Sequence, residues 1–210
     1  MTNILSLLLF FVAISAVGQD ELPDTLVVFD HYQVKYSQRF LQPLEISYHV
    51  DCSNDATSRG DCKLTWKVIG GVATSKYDLH YRNRRDWERG HMAPAGSFDC
   101  DCDMAASTFN YVNCAIQNAE LNRGPWFELE KKERCEASQP GSDVSVVIRV
   151  EFKSTSEING ARIPSGFYKT LIINGKREEY YFPNRNPDFS ELSDYRLSRK
   201  PLFKKNDSCD

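Results

Sequence analysis

An excess of charge of one sign is missing from this sequence: 26 Lys and Arg stand against 29 Asp and Glu in 210 residues, a net of -3. So balanced a chain does not coat nucleic acid through bulk positive charge, and any polyanion site must be a local basic patch. Glycine (11) and proline (9) are scarce, and neither repeats nor low-complexity tracts occur, which excludes collagen-like, disordered and coiled-coil chains. Long apolar runs are missing too, apart from 13 residues at Ile4–Ala16. That run is too short to span a bilayer but has the length of a signal-peptide core, with small residues Ala16 and Gly18 ahead of Gln19. The expectation is an export signal over residues 1–18, although no Lys or Arg precedes the apolar run. Residues 19–210 would then form a single domain with no further membrane segment, secreted or periplasmic.

Cysteine is plentiful by contrast: Cys52, Cys62, Cys100, Cys102, Cys114, Cys135 and Cys209. Export makes disulfides their natural state, with three bridges at most and one thiol left over. Cys52 with Cys62, closing a surface loop, and Cys135 tied back to Cys100 or Cys102 are two of many pairings open to seven cysteines. Cys209 is a candidate staple for the tail.

Apolar and polar residues alternate through TLVVFDHYQVKY and LEISYHV, which reads as two antiparallel strands, Pro43 opening the second. From Asp51 to Asp86 the pattern fades into a long, partly irregular connection. A helix is expected over Met104–Tyr111, and Pro125 is placed for the first turn of another, PWFELEKKERCEA, acidic early and basic late as the helix dipole prefers. SVVIRVEF, FYKTLII and REEYYF read as strands, the last two joined by a turn at Asn174-Gly175. The tail from Asn184 is polar and irregular. Together these give an α+β fold, an antiparallel sheet core with flanking helices.

Four arginines, Arg82, Arg84, Arg85 and Arg89, fall within RNRRDWER, beside Tyr81 and Trp87. Guanidinium groups bind phosphate bidentately and stack on rings, so this is a candidate substrate contact, though taken alone it reads first as a solvated loop. The next residues shift the balance. Glu88-Arg89-Gly90-His91-Met92-Ala93-Pro94-Ala95 resembles the DRGH signature of the DNA/RNA non-specific endonucleases, a branch of the His-Me finger (ββα-metal) nucleases. The resemblance continues through Phe109–Asn113, Gln117, Leu121–Trp126 and Leu129-Glu130, then Ile163–Lys169. An opening hairpin at Tyr32–Tyr36 and Pro43–Tyr48 extends it to about residues 28–184.

This resemblance implies a Mg2+-dependent enzyme, with Mn2+ able to substitute, that cuts DNA and RNA internally and leaves 5′-phosphate ends. It places the general base on His91, the direct metal ligand on Asn122, and the acid that holds the ion's water shell on Glu130. Asn113 matches an asparagine that arranges the centre, and Gln117 a motif position of less defined duty. Arg89 is a structural or phosphate-facing arginine, and Asn110 a helix cap. The transition-state arginine falls on Arg59, with Arg85 as competitor. Physical chemistry explains the set: phosphodiester hydrolysis needs a proton acceptor, a cation for the phosphate and further positive charge for the transition state. An imidazole, ordinarily titrating near 6.5, is a base at neutral pH, whereas His31, His49 and His80 read as structural. Mg2+ keeps several waters, so one neutral amide oxygen is a sufficient protein ligand. If one helix ran through both Asn122 and Glu130, they would lie about 80° apart around its axis, with a packing Trp126 between.

Two positions depart from the family pattern. Glu88 replaces the usual Asp, adding a methylene, and SVVIRVEF lacks a glycine common at that strand. Neither removes His91, Asn122 or Glu130. A catalytically inactive nucleic-acid-binding protein on the same scaffold is the alternative, and a zinc module on Cys100, Cys102, Cys114 and Cys135 a weaker one, since its gaps match no common zinc spacing. A homodimer is compatible with the sequence.

Overall fold

The computed structural model describes residues 23–50, 52, 62–75, 85–189, 191–197 and 209. The export-signal reading, Arg59, Arg82, Arg84 and His80 lie outside the described residues.

The chain begins with strands β1 (Asp24–Val28), β2 (Tyr32–Ser37) and β3 (Gln42–His49), followed by β4 (Trp87–His91), α1 (Cys102–Thr108) and β5 (Cys114–Asn118). Then come α2 (Ala119–Arg123), α3 (Pro125–Ala137), β6 (Val144–Glu151), a small hairpin of β7 (Glu157–Ile158) and β8 (Ala161–Arg162), β9 (Gly166–Ile173) and β10 (Lys176–Pro183). Six strands form one antiparallel sheet in the order β1-β2-β3-β6-β9-β10, while β4 and β5 pair separately. Period-2 alternation puts Val34, Tyr36, Ile46, Tyr48, Val146, Ile148, Phe167, Leu171, Tyr180 and Phe182 in the core. They share it with Trp126 and Leu129 of α3 and with Met92, Phe98 and Val112.

Two charges lie in that core. Lys169 Nζ sits 2.6 Å from Glu133 Oε1 with both side chains fully buried, and the Tyr48 hydroxyl donates to Glu133 Oε2 at 2.7 Å. A second buried group joins Glu178 to Lys132, Arg196 and the Tyr180 hydroxyl, tying α3 and the segment around Tyr195 to β10. Although distant in sequence, β3 and β6 are neighbours, and the Val50 amide donates to the Val144 carbonyl at 2.9 Å.

Several expectations need correction. The first alternating stretch is two strands, because the Phe29 amide turns back onto the Tyr32 carbonyl at 2.9 Å. The Met104–Tyr111 helix starts earlier, at Cys102, where the Asp101 carboxylate accepts from the amides of Asp103 and Met104, and stops at Thr108. A short 3-10 turn, Tyr111–Asn113, follows, capped by the Asn110 side chain. The disulfides are Cys52–Cys100, Cys62–Cys102 and Cys135–Cys209, so neither expected pairing forms. The Cys100-Asp101-Cys102 stretch instead receives both upstream cysteines, and Cys135 receives the tail. The odd thiol is Cys114, buried, and a zinc module on these four is excluded because three of them are oxidised. The Asn174-Gly175 turn forms as expected, both residues at positive φ.

Candidate active site

The signature residues form β4, paired antiparallel with β5 so that His91 faces Cys114, Gly90 Ala115, Arg89 Ile116 and Glu88 Gln117. Consecutive strand residues point to opposite faces. Gly90 has no room for a side chain, since a Cβ there would lie 2.7 Å from Gln117 Cβ, whose own side chain is fully buried over it. Arg89 and His91 turn to the other face, where the Trp66 ring meets both: the His91 ring centroid is 4.8 Å away and the Arg89 Cζ 4.7 Å. Phe109 closes the cluster, its centroid 4.8 Å from that of His91.

Asn113 is buried immediately behind the end of β4. Its Oδ1 accepts from the Ala93 amide at 2.8 Å, and its Nδ2 donates to the carbonyls of Ala93 at 2.9 Å and Thr108 at 3.0 Å. Its carbonyl takes the Met92 amide at 3.0 Å. Every polar atom of this side chain is spent on backbone, so Asn113 braces the turn that leaves His91 and has no capacity for substrate.

The Asn118 side chain caps α2, accepting from the amides of Glu120 and Leu121, and so delivers Asn122 one turn later. Asn122 Nδ2 donates to Glu88 Oε2 at 2.9 Å, while the other oxygen of Glu88 takes the Arg123 guanidinium. With the amide nitrogen pinned, the amide oxygen is turned away from Glu88. Glu88, departing from the family aspartate, reaches α2 from the same strand that ends in His91.

No single helix connects Asn122 with Glu130. Gly124 (φ -100, ψ -117) separates α2 from α3, and a Cβ there would press to 2.7 Å from the Glu120 carbonyl oxygen. Glu130 lies on the second turn of α3, partly buried. Burial pushes its carboxyl up to about 7, against pull from Lys169, with Glu133 raising it and Arg134 lowering it. Trp126 is fully buried against Phe167 and Phe182, a packing residue as expected, and Glu128 pairs with Lys131 at the surface. Arg85 is exposed just ahead of β4. Among the other histidines, His49 holds Asp143 at 2.7 Å and His31 packs near Phe98, both away from this site.

These residues suit a hard divalent cation. The donors are one oriented neutral amide oxygen on α2 and the Glu130 carboxyl on α3, and no group of three or more His, Cys, Asp or Glu is gathered as a cage among the described residues. An ion held largely by water, Mg2+ above all, fits it. Sequence reasoning missed Trp66, which lies in the stretch without periodicity, and the Lys169–Glu133 pair behind Glu130.

A histidine ending one strand of a two-stranded ribbon, with an amide and a carboxyl on the helices that follow, is the ββα-metal (His-Me finger) arrangement. The fold agrees: a chain of the solved EndoG/EndoGI complex superposes with a TM-score of 0.69, covering 84% of this chain and 81% of that one at 24% identity. The sequence matches the DNA/RNA non-specific endonuclease family over residues 15–206, and the chain belongs to that family. Among curated relatives, the mitochondrial nuclease EXOG of Danio rerio is 46% identical over 136 residues, 62% of this chain and 39% of that protein. The Mus musculus protein of the same name is 30% identical over 141 residues, 56% of this chain and 38% of that one. The chain thus spans about two fifths of the length of the relatives it matches.

Proposed function

We propose that this protein is an exported, Mg2+-dependent, sugar-non-specific endonuclease that hydrolyses DNA and RNA to 5′-phosphate ends. The observation that carries the reading is the joint use of β4: it ends in His91, and its Glu88 pins the amide nitrogen of Asn122 at 2.9 Å. Base and metal ligand are thereby tied to one strand: His91 belongs to it, and Asn122, on α2, is held to it through Glu88.

In this reading the His91 imidazole accepts the proton of the attacking water and Asn113 fixes the turn that orients it. Asn122 would hold Mg2+ directly and Glu130 its water shell, and the bound ion would supply positive charge to the phosphate and the leaving oxygen. Arg89 presents its guanidinium edge to the phosphate, with Arg85 and, outside the described residues, Arg82 and Arg84 as further backbone contacts and Arg59 as the transition-state arginine. Such contacts address the phosphates that DNA and RNA share, so base selectivity is weak and salt inhibits. The three disulfides support export to an oxidising compartment.

The test is degradation of supercoiled plasmid and bulk RNA by the oxidised protein with Mg2+ or EDTA, beside His91→Ala. Mg2+-dependent loss of both substrates, abolished in the variant, is the expected result, with activity falling below about pH 6 as the imidazole protonates. Binding of both substrates without cleavage would leave an inactive scaffold protein instead. Sedimentation equilibrium decides between monomer and homodimer.

A further inference from the structure

Trp66 stands at the centre of the only face of β4 that carries both His91 and Arg89. Its ring centroid lies 4.8 Å from that of His91 at an interplanar angle of 39°, and the Arg89 Cζ lies 4.7 Å from the same centroid. Phe109 meets it edge-on at 5.4 Å, and Tyr111 lies tilted against it at 5.2 Å. The indole is itself fixed from behind. Its neighbour Lys67 exchanges backbone hydrogen bonds with Phe109 (2.9 Å) and Tyr111 (3.0 Å), and the Cys62–Cys102 disulfide anchors the segment four residues earlier. Trp66 also packs on the small second core of Cys114, Ile116, Ile158 and Ala161, under the partner strand of β4.

A strand fixes the Cα positions of residues 89 and 91, but not their side chains. Histidine keeps two rotatable bonds, and arginine more, with a large rotamer entropy to lose on aligning with the phosphate in the transition state. A rigid indole touching both removes that freedom in advance. Stacking engages the flat face of the guanidinium and leaves hydrogen bonding to its edge.

We propose that Trp66 is a positioning residue: one plate that sets the His91 imidazole and the Arg89 guanidinium at a fixed spacing from each other. This rests on the reading of His91 as the base. Trp66 acts through its two neighbours, so its loss lowers turnover and leaves substrate affinity in place. Misplacing a reacting group by about 1 Å costs on the order of a hundredfold in rate.

The experiment compares Trp66→Leu, which keeps apolar bulk without a flat ring, with Trp66→Phe and His91→Ala. All are made in the full oxidised protein and matched for thermal unfolding. The expected result is a kcat lower by about tenfold or more in Trp66→Leu with KM within about twofold, and Trp66→Phe within about threefold of the parent. A readout independent of turnover uses metal-free protein. A protonated imidazole quenches an indole against it, so fluorescence should fall as pH drops through the imidazole range, and the fall should vanish in Trp66→Phe and in His91→Ala. The proposal is overturned if Trp66→Leu keeps its kcat, if KM rises while kcat holds, if Trp66→Phe falls as far as Trp66→Leu, or if the quenching survives in Trp66→Phe. Full activity in His91→Ala would sink the base reading itself, whereas an inactive His91→Ala beside an active Trp66→Leu sinks this inference alone.

Discussion

Glu133→Gln should destabilise the protein by about 4 kcal/mol at pH 7.5. Lys169 Nζ is 2.6 Å from Glu133 Oε1, both side chains are fully buried, and the ammonium lies 4.4 Å from the centre of the Trp126 ring. Without that partner the buried ammonium is left with the Coulombic pull of Glu130, and removing one member of a buried ion pair costs about 3–5 kcal/mol. Glutamine still accepts the Tyr48 hydroxyl, which donates to Glu133 Oε2 at 2.7 Å, so the loss isolates the charge. Adding Lys169→Met removes the stranded ammonium, and the double variant should lie within about 2 kcal/mol of the parent. The assay is urea unfolding at pH 7.5 with the disulfides intact. A single-variant loss below about 1 kcal/mol, or a double variant equal to the sum of the singles, would refute the reasoning.

Glu130, pushed up to about 7 by burial, favours the folded state while protonated. That contribution is complete below the ordinary 4.5 and is lost as pH rises through 7, on the order of 2 kcal/mol for a partly exposed group. Urea midpoints of metal-free protein should therefore decline over that window, and Glu130→Gln should flatten the slope; identical slopes would disprove the assignment. Gly90→Ala, driving a Cβ into Gln117 Oε1 and to 2.8 Å from its Cδ, should cost about 1–3 kcal/mol, recovered in part by adding Gln117→Ala, which removes both those atoms, as thermal unfolding would show. Replacing both Cys62 and Cys102 with serine opens a loop of sequence separation 40 and should cost about 4 kcal/mol on chain entropy; an unchanged urea midpoint would contradict it.

Much of the sheet was legible because its strands alternate: β2, β6 and β10 bury alternate residues over most of their length, whereas β9 buries six of its eight residues and was read from its β-branched and aromatic content. The α3 helix announced itself through Pro125 and its charge order. The β1–β2 turn did not, since the alternation runs through Phe29-Asp30-His31 without a glycine or proline to break it. β4 has no apolar stripe, burying only Gly90 completely, and in β5 every residue is buried, including Gln117 and Asn118. Neither presents a period. The chemistry-bearing positions His91, Asn122 and Glu130 were visible only through family resemblance. Their setting was not: the Gly124 break, the Glu88 clamp on Asn122 and the Trp66 plate all depend on contacts between segments far apart in the chain. Disulfide partners were hidden for the same reason, as loop lengths do not say which cysteines a folded chain brings together.

Because β3 hydrogen-bonds straight to β6 and Val50 meets Val144, the sheet is complete without the segment between them. That segment carries His91, Asn122 and Glu130, and it leans on the sheet through side-chain hydrogen bonds, the Ile116 amide donating to Gln42 and the Tyr32 hydroxyl to the Ser107 carbonyl among them. Two disulfides, Cys52–Cys100 and Cys62–Cys102, begin and end inside it, and Cys135–Cys209 ties it to the tail. Lengthening its loops breaks no rung of the six-stranded ladder; what must be preserved is this set of bonds and the inner face of α3, Trp126, Leu129 and Glu133, which plugs the core. Changes confined to such a loop should therefore reshape the surroundings of His91 while the frame that carries them stays as it is.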